Sequence, residues 1–418
     1  MFLSKSLNIK KTEFNIFLFL SIIILPISIT IAFIFLLIVL FSIKKNNTDK
    51  INTNNVSKDL YNINILWYIF CLGSIIQGMF TIIPIYHYAG FLSHYLIYWL
   101  ILWIVLQIIK IENIRMIISS FILSAGIIAS FGIANFWGWT YNIRLFQLPW
   151  YDKPYLIDLQ IIHMNNQVWG FAMNPNILGV YLMLSVPLCI GLIFDEEQIT
   201  EKIIWGGILL ILLLCILFSF SRGTWINTII ILVLLSIYNR KIAITFILFS
   251  IGIMVLYFLF SVNMNNYWVR LLTIFDPLFH SNFVRLNLWK SAMNIIKDFP
   301  FSGIGILHYE LIFPCYQLFD GKGFHFHNWY LQIVTESGIP LGILFFFMIG
   351  LIWFKGSKYI LENHLKYIWT IPFTLIGFFT FSLSDYVVVD GRISIYLCFL
   401  FGILIKHINS YSKITKNI

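Results

Sequence analysis

The feature that most constrains this chain is a succession of long apolar runs separated by short polar breaks. Runs of about 17 to 25 residues, enough for a helix to cross the hydrocarbon of a bilayer, fall at roughly 62–82, 91–109, 114–134, 175–194, 202–220, 224–238, 241–261, 339–355, 366–384 and 390–406. Inside lipid, backbone N–H and C=O groups find no water, and a helix pairs all of them within one segment. The expected fold is therefore all-α, a polytopic integral membrane protein embedded in the lipid bilayer. Composition agrees: 60% of the 418 residues are hydrophobic and only 11% charged. Aromatic residues reach 18%, as suits a chain that meets the headgroup region many times.

Phe14–Ile43 is too long for one span and too short for two full ones, and Pro26 lies near its middle. Lys5, Lys10 and Lys11 precede it and Lys44, Lys45, Lys50 and Lys58 follow. Basic flanks stay in the cytoplasm, so an even number of crossings is expected. Proline lacks the amide hydrogen a helix interior needs, which predicts two short helices turning near Pro26 and about twelve spans in all. Both termini are then cytoplasmic. The basic N-terminus carries no small-residue cleavage site and reads as a retained anchor.

This topology divides the chain into an N-terminal bundle over 1–261, a large extracytoplasmic loop over 262–338 with short amphipathic helices, and three C-terminal spans over 339–418. It also gathers three polar features on the outer face: Asn135–Asn174, the Ser221-Arg222-Gly223 turn and the long loop. The net charge of +9 follows from the positive-inside bias, so no nucleic-acid partner is expected. The five cysteines show no paired metal spacing, and neither a disulfide nor a zinc site is implied. Away from their ends the expected spans lack ionisable residues, which argues against an ion-coupled pathway.

Chemistry is expected in the outer loops. Arg222 ends an otherwise apolar span, and its planar fork suits phosphate oxygens; an interfacial anchor is the plainer reading. In Val284–Lys297, Arg285, Trp289, Ala292 and Ile296 recur at helical spacing, so an amphipathic helix lying on the membrane is expected, with Arg285 at its start. Arg270, beside Trp268, is a further cation. Within GFHFHNWYLQIVTESGIPLG, residues 323–342, His325 and His327 share one side of an extended segment. With no carboxylate or cysteine at ligand spacing they make an incomplete metal site, so no metal and no cofactor is expected. A neutral imidazole suits general-base work. Asp385, Asp390 and Arg392 fall at the outer turn between the last two spans, where a charge network is open.

In this order, Asn174-Pro-Asn176, Ser221-Arg222-Gly223, Arg285 with Trp289, Pro300-Phe-Ser-Gly-Ile-Gly305, His327-Asn328, Tyr330-Leu331-Gln332 and Glu336-Ser-Gly338 resemble the O-antigen ligase and O-antigen polymerase family of bacterial membrane glycosyltransferases. The resemblance runs from about Asn174 to the C-terminus. It implies transfer or polymerisation of an undecaprenyl-pyrophosphate-linked glycan onto the hydroxyl of a lipid- or glycan-linked acceptor, at the outer face of the inner membrane and without a metal. Arg222 and Arg285 would hold the pyrophosphate and His327 would act on the hydroxyl, with Asn328, His325, Glu336 and Arg270 in support. Three residues separate Gly338 from Gly342 where family members commonly have two between the glycines, which bears on how that span begins. Pro300–Gln317 also resembles a cyanobacterial branch associated with bicarbonate uptake, so a small-anion transporter or its accessory protein is the alternative. The Ile, Asn and Lys excess fits an AT-rich genome, bacterial or plastid.

Overall fold

The structure is a computed structural model that describes residues 14–46, 58–136, 142–147, 155–160, 174–243, 276–319 and 325–414, with 246–247, 250 and 273. Arg270 and most of the apolar run 241–261 lie outside them. The first apolar run forms α1 (Phe14–Ile24) and α2 (Ile29–Asn46). The chain turns at residues 25–28, as Pro26 predicts, and Phe17 stacks on Phe35 with ring centroids 6.0 Å apart, so the two helices fold back on each other.

The bundle continues with α3 (Lys58–Gly78), α4 (Pro84–Ile108) and α5 (Ile114–Phe136). Then come α6 (Pro175–Asp195), α7 (Ile199–Phe218) and α8 (Arg222–Tyr238). After α9 (His280–Asp298) and the short α10 (Tyr309–Tyr316), the chain enters α11 (Trp329–Glu362), α12 (Ile371–Phe381) and α13 (Gly391–Ile414). Among the described residues six helices are long and apolar enough to cross a membrane, and four apolar helices are shorter. A membrane protein is consistent with this; a count of twelve spans is not established by it. Between α5 and α6 a small antiparallel hairpin pairs β1 (Asn142–Gln147) with β2 (Tyr155–Gln160), which departs from a purely helical expectation.

Two further differences from the expected layout matter for the site. Helix α4 begins at Pro84, earlier than its hydropathy suggests, and so includes the fully buried His87. Helix α9 packs an apolar stripe against the protein itself, while Phe283, Leu286 and Met293 stay exposed. Leu288, Ala292 and Ile295 are buried against Tyr309, Phe313 and Phe326, making a second small core beside the bundle. Of the stripe expected at Arg285, Trp289, Ala292 and Ile296, Ala292 is buried in this core and Trp289 packs against it, and the core's partner is the protein's own loop.

That loop is stitched to a break in α11. Gly338 has φ +76, and the ring of Pro340 follows. Ile304 and Gly305 donate their N–H groups to the carbonyls of Thr335 and Glu336, both at 2.9 Å, and Ile339 donates to the Pro300 carbonyl at 2.8 Å. A Cβ on Gly338 would meet the Phe301 carbonyl oxygen at 2.3 Å, and one on Gly303 would meet the Gly338 nitrogen at 2.4 Å. Only glycine adopts this φ freely and lets two backbones approach so closely. The GIG turn and Gly338 are thus two halves of one backbone contact, and Gly342 has no part in it.

Two buried histidines fasten the same loop from the other side. Ile306 donates its N–H to His87 Nδ1 at 3.1 Å, and Ile83 donates to His308 Nε2 at 3.1 Å. The other ring nitrogen of each faces a carbonyl, of Ser74 at 2.9 Å for His87 and of Ile306 at 2.9 Å for His308. These bonds position the loop and offer no exposed chemistry.

Candidate active site

The site is assembled by helix beginnings. Asn328 caps α11, its side-chain oxygen accepting the Leu331 N–H at 3.0 Å, while its amide nitrogen donates to the Leu383 carbonyl at 2.8 Å. The Trp329 N–H donates to the Ser382 carbonyl at 2.9 Å. Unpaired donors at the start of α11 thereby satisfy carbonyls at the end of α12, and this clasp carries the following turn, with Asp385, to the histidines.

His327 Nδ1 lies 2.8 Å from Asp385 Oδ1. Arg285, reaching down from α9, places Nη2 3.7 Å from Asp385 Oδ2. Asn176, on the first turn of α6, donates to the same Oδ2 at 2.7 Å, and the backbone N–H of Tyr386 donates to Oδ1 at 2.8 Å. Ser221, just before α8, donates its hydroxyl to Asn176 Oδ1 at 2.7 Å. The N-terminal ends of α6, α8 and α11 therefore converge on one buried carboxylate. Each end carries partial positive charge from its aligned peptide dipoles, and together with Arg285 they make a place suited to anions.

Burial alone would push the Asp385 carboxyl up. The hydrogen bond from His327, with the charges of His327 and Arg285, outweighs it and holds the group well below the usual carboxylate range. His325 goes the other way from an ordinary imidazole: burial first, then the neighbouring His327, pulls it down to about 4 despite Asp385. The two rings sit 4.1 Å apart, on one side of an extended segment as alternation requires, with Phe326 turned into the small core between them. His327 itself takes φ +48, a conformation uncommon for a residue with a Cβ and met mainly where surrounding contacts impose it.

The His327 N–H donates to His325 Nδ1 at 3.1 Å, and Gln332 and Glu336 hold the residue between them. Gln332 accepts the Phe326 N–H at 3.0 Å and donates to Glu336 Oε1 at 2.9 Å. Glu336 is buried behind this bond, so it orients the glutamine that fixes the His-Phe-His turn. It does not reach the reacting space, and of the supporting candidates it acts at one remove.

Arg222 is near but differently engaged. Its guanidinium donates to the Thr273 carbonyl, to Ser281 Oγ at 2.6 Å and to Asn282 Oδ1 at 2.9 Å, and it lies over the Phe279 ring at 4.7 Å. It therefore ties the first turn of α8 to the first turn of α9, the helix that carries Arg285. Asp390 and Arg392 pair with each other at 3.4 Å and stand apart from the histidine cluster's hydrogen bonds.

The expectation of no metal rested on the lack of a carboxylate near the histidine pair, and that premise does not hold in three dimensions. One ligand atom each from His325, His327 and Asp385 lies within 4.8 Å of the others. The set could accept a divalent ion of the kind imidazole and carboxylate favour, although Arg285 already brings a positive charge to the same carboxylate. Sequence reasoning named both histidines, Asn328 and the arginines. It left Asp385 open and gave Asn176 no role of its own, though Asn174-Pro-Asn176 was part of the resemblance.

Residues 207–346 match the family model described as O-antigen ligase. No individual curated protein matches the chain. The matched stretch, about a third of the chain, contains Arg222, Arg285, His325, His327, Asn328 and Glu336, and over it the chain is similar to the O-antigen ligase family.

Proposed function

We propose that this protein is a glycosyltransferase that moves, or polymerises, a polyprenyl-diphosphate-linked glycan onto an acceptor hydroxyl at the outer face of the cell's inner membrane. The observation that carries the reading is the His327–Asp385 pair set beside Arg285 where three helix N-termini meet. Acceptor and donor need what this arrangement offers. Asp385 holds the Nδ1 side of the imidazole, leaving Nε2 to take the proton from the acceptor hydroxyl. The freed oxygen pair forms a bond to the anomeric carbon of the donor sugar, and the bond from that carbon to the diphosphate oxygen breaks with its electrons going to the diphosphate. Arg285 and the helix ends stabilise the charge that builds there, in surroundings where water screens little. Arg222 would reach the diphosphate by exchanging some of its present acceptors for phosphate oxygens, and otherwise holds α9 in place.

In this reading the fixed positive charge comes from arginine and not from a metal. The experiment is reconstitution of the purified protein in liposomes with a labelled polyprenyl-diphosphate glycan and an acceptor. Transfer that persists in EDTA supports the proposal; transfer lost to chelator and restored by a divalent ion would assign the His325, His327 and Asp385 cluster to that ion instead. Flux of a small anion without transfer would favour the transport alternative.

A further inference from the structure

We infer that Asn176 is a positioning residue for the reaction, acting through Asp385; this rests on the reading of His327 as the base. Asp385 has two oxygens to hold, and they are held from different sides. Oδ1 receives His327 and the Tyr386 N–H, while Oδ2 receives Asn176 Nδ2 at 2.7 Å. An amide can rotate and present oxygen in place of nitrogen, which would repel the carboxylate. The ionised carboxylate only accepts and so selects the amide nitrogen, and the far side agrees: Asn176 Oδ1 accepts the Ser221 hydroxyl at 2.7 Å, and Ser221 Oγ in turn accepts the Thr224 hydroxyl at 2.8 Å. Every proton in the series Thr224, Ser221, Asn176 points toward Asp385.

The series is built into the packing of two helices. Asn174 caps α6 by accepting the Asn176 N–H at 2.8 Å, which sets the first turn. One turn on, a Cβ at Gly179 would meet Thr224 Oγ1 at 2.3 Å, so the close approach of α6 to α8 depends on glycine there. Thr224 is fully buried and Ser221 nearly so, which leaves no water to substitute for either hydroxyl. Neither Asn176 nor Asp385 lies within the stretch that matches the family model, yet the fold delivers both to His327.

The test is a double-mutant cycle in the reconstituted transfer assay, with Asn176→Ala, Asp385→Asn and the pair. Expected are a fall in kcat of about 10- to 100-fold for Asn176→Ala, the size typical when an outer partner of a functional group is removed, and little change in KM for the donor. The double variant should be no slower than Asp385→Asn alone, because a residue acting only through Asp385 has nothing further to lose. Ser221→Ala, a milder cut at the next link, should fall a few-fold and be equally non-additive; it decides the matter if Asn176→Ala fails to accumulate in the membrane. Losses that multiply, or an Asn176→Ala protein with full kcat, would overturn the inference. A His327→Ala enzyme that keeps its turnover would refute the base assignment alone, while the cycle between 176 and 385 would still report whether the two residues act together.

Discussion

Replacing His327 gives the most direct test of the proposed chemistry. A positioned general base typically contributes about 100- to 10,000-fold in rate, or roughly 3 to 5 kcal/mol of barrier at about 1.4 kcal/mol for each factor of ten. The cost to stability should be smaller. The His327 side chain is 34% exposed, and its one charged partner, Asp385, keeps Asn176, the Tyr386 N–H and Arg285 when the imidazole is gone. Loss of this single bond to a charged group should cost about 1.5 to 3 kcal/mol. His327→Ala should thus lose most turnover at near-normal abundance, and donor binding should survive because the arginines and helix ends are intact. His327→Asn sharpens the comparison. Asparagine tolerates positive φ better than other residues with a Cβ and can still donate to Asp385, so it preserves the turn and removes only the base.

The assay is single-turnover glycan transfer in proteoliposomes beside equilibrium binding of the labelled lipid donor. Both His327 variants should fall by at least about 100-fold with donor affinity within a few-fold of the parent, and His325→Ala should fall much less. Equal losses at the two histidines would refute the reasoning. So would a His327 variant whose donor binding declines in step with its rate.

Arg222→Lys and Arg285→Lys each keep the charge and lose the planar fork; both should lose most transfer at normal protein levels, and near-normal transfer would leave them as interfacial anchors. Gly338→Ala should cost at least about 2 kcal/mol, from a positive φ and a clash that displaces the Phe301 carbonyl, read as a lowered Tm in detergent; an unchanged Tm would discount the backbone contact with the GIG turn. Because the folded protein holds His325 down at about 4 against 6.5, unfolding takes up a proton between those values. Stability conferred by the neutral ring is therefore complete above about pH 6.5 and is lost as pH falls toward about 4. His325→Asn should flatten the dependence of Tm on pH in that window, and an unchanged slope would refute it.

Much of this was legible along the chain because the signals are short-ranged. Hydropathy marked most of the apolar helices, and Pro26 marked the turn between α1 and α2. Asn174-Pro175 marked the start of α6, whereas α11 begins at Trp329 with Asn328 as its N-cap, well before the expected run at 339–355. Alternation put His325 and His327 on one side of an extended segment. Of the polar features expected on one face, the Ser221-Arg222-Gly223 turn and the long loop do meet, through Arg222 with Ser281 and Asn282.

What the sequence could not carry is the identity of the partners those residues find. Asp385 follows His327 by 58 positions and Asn176 precedes Asp385 by 209, and no local pattern encodes which helix ends abut. The apolar stripe of α9 fits lipid and protein equally well until Tyr309, Phe313 and Phe326 are seen to cover it. Only the packed bundle turns Arg222 toward Ser281 and Asn282, places Glu336 behind Gln332, and gives the histidine pair the carboxylate it lacks in sequence. The physical reason is that hydrophobicity specifies that a segment is buried, without direction or partner, whereas hydrogen bonds and ion pairs act over a few ångströms and are decided by where the packed helices bring their ends together.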